Sequence, residues 1–169
     1  MAEAINIDLT ASKADRYRQT LESLEAVLES EGNLTARMAT VSCLLSGAFP
    51  ETYFWTGFYI VDPEKPAELV VGPYQGTLGC LRIPFGRGVC GTAAAEGKTQ
   101  IVEDVHAIAN HIACDSRSQS EIVVPVTDAE GRLIAVFDVD STELASFDSI
   151  DQLWLELIMS RIFGPGRTS

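Results

Sequence analysis

The sequence predicts an α+β fold, with a mostly antiparallel central sheet flanked by N-terminal and C-terminal helices. Three observations carry this. Apolar residues recur at helical spacing before residue 50, short β-branched and aromatic runs follow from Tyr53 to Val139, and helical spacing returns from Asp148 to Phe163. At 169 residues, the chain is expected to form one domain burying roughly two thirds of its unfolded surface, with 1–11 as a tail and 12–169 as the domain.

Ser12 followed by Asp15 resembles a capping box, and Tyr17, Leu21, Leu24 and Leu28 share a helical face, predicting a helix that ends near Gly32. Asn33 caps a second helix, with Leu34, Met38, Val41 and Leu45 on one face, stopping before Pro50. Three strands are predicted at Tyr53 to Val61, Glu68 to Gly72 and Gly79 to Pro84, separated by Asp62-Pro63, Lys65-Pro66 and Gly72-Pro73. In FGRGVCGTAAAEGK the Ala93 to Ala95 run predicts a short helix stopped by Gly97, and Gln100 to Glu103 reads as a fourth strand. The stretch Asp104 to Ser120 is long for a loop in a compact domain, and loops of that length tend to be functional. Ile122 to Thr127 and Leu133 to Val139 flank the turn DAEGR as a hairpin. The final helix, Asp148 to Phe163, places Ile150, Leu153, Leu157 and Ile158 on one side and closes at Gly164-Pro165.

Composition excludes several classes. With 46% hydrophobic and 21% charged residues the chain is an ordinary globular sequence. A net charge of −12 argues against nucleic acid or an anionic membrane as partner, since both require a basic surface. The N-terminus lacks a basic start followed by an apolar run, so a cytoplasmic, reducing compartment is expected. Four cysteines there are free thiols by default, and two that meet would be a redox pair before a structural bridge.

Cys43, within VSCLLSG, reads as a small packing residue. Cys80 begins a strand, Cys90 sits in a glycine-rich bend at a helix start, and Cys114 lies in the loop HIACDSRSQSEIVVP, which runs into a strand opened by Glu121. A thiol near a helix N-terminus or a cation is the attacking form for redox and nucleophilic chemistry, and Arg82, Arg87 and Arg117 are near in sequence. The residues alone leave three candidate thiols. His106, His111, Cys114 and Asp115 match no zinc spacing, so no metal is expected, and His111 reads as ordering the loop. GRGVCG lacks the Walker lysine and the dinucleotide fingerprint, so no nucleotide or other cofactor is expected. Glu121, Asp138 and Asp140 stand at strand ends. Two acids held close in a half-buried site cannot both ionise, which leaves one able to donate a proton. Trp55, in YFWTGFYIV, is a core aromatic or a pocket wall suited to a methyl or thioether group.

In order, GFYIVD, GPYQGTLGCLRIPFGRGVCGTAAAEGKTQIVEDVH, HIACDSRSQSEIVVPV and AVFDVDST resemble the free methionine-R-sulfoxide reductases, which are single GAF domains. The resemblance implies a GAF-type fold and a cytosolic, homodimeric enzyme that reduces the R-sulfoxide of free methionine and is recycled by thioredoxin. It implies that Cys114 attacks the sulfoxide sulfur, that Cys80 resolves the sulfenic acid into a disulfide, and that Cys90 is auxiliary. It makes Glu121 and Asp140 the carboxylates acting on the sulfoxide oxygen, Asp138 a partner for substrate or acid, Trp55 the wall against the methyl group, and Tyr59 a further substrate-binding residue. A non-catalytic GAF sensor for a small ligand or for redox state is the alternative.

Overall fold

The computed structural model describes residues 6–108 and 114–165. Two helices lead, α1 (Lys13–Leu28) and α2 (Leu34–Ala48), followed by the strands β1 (Trp55–Asp62), β2 (Lys65–Gln75) and β3 (Arg82–Pro84). Then come α3 (Gly88–Glu96), β4 (Gln100–Val102), a 3-10 turn at Val105–Ala107, β5 (Ser120–Thr127), β6 (Leu133–Ser141) and α4 (Ser149–Ile162). The sheet has the order β3-β2-β1-β6-β5-β4, with every neighbouring pair antiparallel.

Strand alternation sorts the side chains into two cores. Phe58 of β1, Ile122, Val124 and Val126 of β5, and Ala135, Phe137 and Val139 of β6 face the helical side, where α2 and α4 pack on the sheet and α1 lies against both. Trp55, Tyr59, Val123 and Val136 face the other side, which α3 covers and where Ile83 of β3 joins the same core. The helices are capped as their sequences require: Ser12 accepts from Asp15 N, Asn33 from Ala36 N, and Asp148 with Asp151 forms a full capping box.

Polar side chains lock the helical layer. Tyr17 Oη donates to Asp151 Oδ1 at 2.7 Å and meets Tyr53 Oη at 2.5 Å, while Lys13 Nζ lies 2.7 Å from Asp151 Oδ2. Arg37 donates to the carbonyls of Leu28, Glu31 and Ile162, satisfying acceptors at the ends of both α1 and α4.

Several local expectations change. Of the three proposed strand breaks only Asp62-Pro63 is a turn. β2 runs unbroken through Pro66 and Pro73, because Pro66 sits beside the turn and Pro73 falls in the register shift between the Gly57–Tyr74 and Tyr59–Val71 pairs, where no ladder donor is needed. The third strand is only Arg82–Pro84, so Cys80 lies in the preceding loop and does not begin a strand. Cys43 is exposed, because its side of α2 faces away from the sheet. On α4 the buried set is Asp151, Leu155, Ile158, Met159 and Ile162, whereas Ile150, Leu153 and Leu157 form an exposed stripe.

Candidate active site

The site is built on the α3 side of the sheet. Register places Trp55 of β1 opposite Asp140 of β6, and Asp140 opposite Glu121 of β5, so the three share one rung across three strands. One rung along, Asp138 lies between Gly57 and Val123. Because the side-chain period is two, Trp55, Tyr59, Asp138, Asp140 and Glu121 all line one pocket, together with Leu78, Gly79, Ile83, Cys90, Cys114, Asp115, Ser118 and the Arg87–Val89 turn.

Trp55 forms the aromatic wall. Its ring stacks on Tyr59 at 5.5 Å and Tyr74 at 5.1 Å, and its Nε1 donates to Thr77 O at 3.0 Å. Gly57 makes this wall possible, since a Cβ there would stand 2.2 Å from Tyr74 Cβ. On the opposite side, α3 approaches closely enough that a Cβ at Gly91 would stand 2.3 Å from Pro84 O. That approach brings Cys90, in the first turn of α3, down onto the carboxylates.

Cys80 and Cys114 form a disulfide, with Cα atoms 5.2 Å apart and a sequence separation of 34. Tyr59 Oη lies 4.0 Å from Cys114 Sγ. The loop carrying Cys114 is tethered by Asp115, which accepts from Thr77 Oγ1 at 2.8 Å and from Arg117 Nη2 at 2.8 Å, and Arg117 lies over the Phe54 ring at 4.8 Å. The Arg117 guanidinium and the loop donors hold the Asp115 carboxyl below its ordinary range. His111 lies outside the described residues.

Cys90 has a different environment. Its Sγ donates to Glu121 Oε1 at 3.9 Å, and the residue is only 3% exposed. Burial first, then the charges of Asp138 and Glu121, push its thiol well above the usual range, although it lies near a helix N-terminus. Desolvation and the Asp140 charge likewise raise Glu121 and Asp138, and burial raises the Tyr59 phenol. The pocket therefore holds acids that bind their protons more tightly than ordinary carboxyl groups do. Of the three arginines expected near the thiols, Arg82 pairs with Asp62 and Glu68, Arg117 pairs with Asp115, and only Arg87 lines the pocket.

Of the residues singled out in the sequence, the structure brings together Trp55, Tyr59, Cys90, Cys114, Glu121, Asp138 and Asp140 in the pocket, with Cys80 bonded to Cys114. Sequence reasoning missed Gly79, Ile83, Ser118 and the role of Asp115 as a tether. The Asp-Ser-Arg triplet was the available signal for that tether, since an Asp accepting from the residue two positions on is a local turn.

The fold and this pocket define a GAF domain with a disulfide-bonded cysteine pair beside buried carboxyl groups, and the GAF domain family model matches residues 51–162. The chain is 35% identical to the free methionine-R-sulfoxide reductase of Saccharomyces cerevisiae, covering 95% of this chain and 91% of that one. It is 38% identical to the enzyme of the same name from Escherichia coli, covering 89% and 88%. The X-ray structure of the Neisseria meningitidis free methionine-R-sulfoxide reductase, in complex with its substrate, superposes with a TM-score of 0.88 at 45% identity, covering 95% of this chain and 93% of that one. The chain belongs to the free methionine-R-sulfoxide reductase family, a family of oxidoreductases. Among the described residues, no helix is long and apolar enough to cross a membrane.

Proposed function

We propose that this protein reduces free L-methionine-(R)-S-oxide to L-methionine, with Cys114 as nucleophile, Cys80 as resolving thiol and a dithiol protein such as thioredoxin as final reductant. The observation that carries the reading is the Cys80–Cys114 disulfide beside a pocket lined by the buried carboxyl groups Glu121 and Asp138 and walled by Trp55.

A sulfoxide sulfur becomes electrophilic once its oxygen is protonated or strongly hydrogen-bonded. Glu121 and Asp140, opposed in register, act on the sulfoxide oxygen, Glu121 giving the proton and the Asp140 charge keeping that proton on Glu121 until it is needed, while Trp55 and Tyr59 receive the methyl end and Asp138 contributes a further carboxyl group for the substrate. The Cys114 thiolate attacks the sulfur and forms an Sγ–S bond as the doubly protonated oxygen leaves as water; water then attacks Cys114 Sγ, that bond breaks, and the products are methionine, a proton and a sulfenic acid on Cys114. The Cys80 thiol then displaces water from that sulfenic acid to give the disulfide. A partner dithiol reduces the bridge by exchange, taking the disulfide onto itself and restoring both thiols. Cys90 stays outside the thiol cycle and acts as a hydrogen-bond donor to the acids. The setting is cytoplasmic, where such dithiol proteins stay reduced, and the exposed stripe Ile150, Leu153 and Leu157 offers a face for homodimer assembly, checked by light scattering.

The deciding experiment incubates the protein and a dithiol with racemic methionine sulfoxide and follows each diastereomer. Selective loss of the R form is expected, and equal rates with and without protein would refute the reading.

A further inference from the structure

Cys90, Glu121 and Asp138 present three potential metal-ligand atoms that lie within 4.8 Å of one another, from three buried side chains. They come from α3, β5 and β6, elements held rigidly by the sheet register and by the close approach at Gly91. A separate observation points to a missing partner. Asp138 is only 5% exposed, and its Oδ1 has no hydrogen-bond acceptor or donor. Buried carboxylate oxygens are rarely left so, and a proton placed on Oδ1 would itself lack an acceptor.

From this geometry we propose that, in the reduced protein, Cys90, Glu121 and Asp138 form a binding site for a borderline-soft divalent cation, zinc being the best fit, and that the cation competes with any substrate of this pocket. One thiolate and two carboxylates suit zinc, whereas magnesium and calcium prefer all-oxygen sets. A zinc tetrahedron with bonds of about 2.3 Å to sulfur and 2.0 Å to oxygen has sulfur–oxygen edges of about 3.5 Å. The Cys90 Sγ to Glu121 Oε1 separation of 3.9 Å is therefore close to the required edge. Asp140, opposite Glu121 in register, or water takes the fourth position. Binding requires the Cys90 thiol and the carboxyl groups to release their protons to solvent, so the metal removes the acids the pocket otherwise offers. Metal affinity here rests on the pocket's geometry and is independent of the reductase reading.

The test titrates cobalt(II) into phosphine-reduced, desalted protein. A single site with a sulfur-to-cobalt charge-transfer band in the near ultraviolet is expected, displaced by zinc with release of protons. The near-isosteric Cys90→Ser should lose the band, and Asp138→Asn and Glu121→Gln should each weaken binding at least about tenfold, which matches the loss of one ligand. Cys43→Ser, Cys80→Ser and Cys114→Ser should keep the band. No band in the wild type, a band that survives Cys90→Ser, or one that disappears in Cys80→Ser or Cys114→Ser would each overturn the proposal. Reductase assays on the metal-free protein report separately on the catalytic reading.

Discussion

The Cys90 thiol donates to Glu121 Oε1 at 3.9 Å, on the floor of the pocket whose mouth is closed by the Cys80–Cys114 bridge. The three cysteines of the sequence pattern thus divide into a disulfide-bonded pair and a free thiol that donates to an acid. Cys90→Ser preserves a donor and Cys90→Ala removes it. Both variants should still form the Cys80–Cys114 disulfide on mass spectrometry, while Cys90→Ala loses about tenfold in kcat/KM, the equivalent of one hydrogen bond to a carboxylate, and Cys90→Ser loses less. Failure of either variant to form the bridge would return Cys90 to the thiol cycle.

The redox pair makes a separable prediction. Cys114→Ser should release no methionine even in a single turnover. Cys80→Ser should release one equivalent and then stop for lack of a resolving thiol. Quenched-flow quantification of methionine distinguishes the two, and a full burst from Cys114→Ser would move the nucleophile elsewhere.

The raised carboxyl groups set the pH response. Glu121 and Asp138 bind protons more tightly folded than unfolded, so their contribution to stability is complete below the ordinary carboxylate pKa and is lost as pH rises through the raised folded value. Thermal unfolding of the wild type should therefore shift down between pH 5 and pH 8, and Asp138→Asn, which does not ionise, should narrow that shift by about 3 °C or more. Activity should fall over the same rise, as the proton donor for the sulfoxide oxygen is lost. A flat stability profile in both proteins would mean that these acids are ionised throughout.

In the helical layer, Tyr17 is fully buried, and Tyr17→Phe removes the hydroxyl that donates to Asp151 Oδ1. The loss should be about 1–3 kcal/mol in urea unfolding, the cost of leaving a buried acceptor unsatisfied, with the denaturant slope unchanged. An effect within about 0.5 kcal/mol, the range of ordinary surface substitutions, would mean that the network adds little.

Much of this molecule was legible in the chain itself. Helical spacing placed α1 and α2, the turn DAEGR between two apolar runs placed β5 and β6, and Trp55, Tyr59, Cys90, Cys114, Glu121, Asp138 and Asp140 line one pocket, with Cys80 bonded to Cys114. The errors have a common cause. The breaks at Pro66 and Pro73 were read from local propensity, but the bulge opposite Gly57 and Tyr59 absorbs Pro73. The face of α4 was read from Ile150, Leu153, Leu157 and Ile158, but of these only Ile158 is buried, and the core takes it with Leu155, Met159 and Ile162. Periodicity marks an apolar stripe without saying which side has something to pack against.

The sequence by itself determined the element types, the α+β class and the residue chemistry, because spacing and side-chain type are local properties. Only the tertiary structure decided which cysteines meet, and in which direction the acids and the Cys90 thiol are shifted. Those depend on the register that aligns Trp55, Asp140 and Glu121, on the approach of α3 at Gly91, and on burial that withholds the water a carboxylate or thiolate needs to ionise.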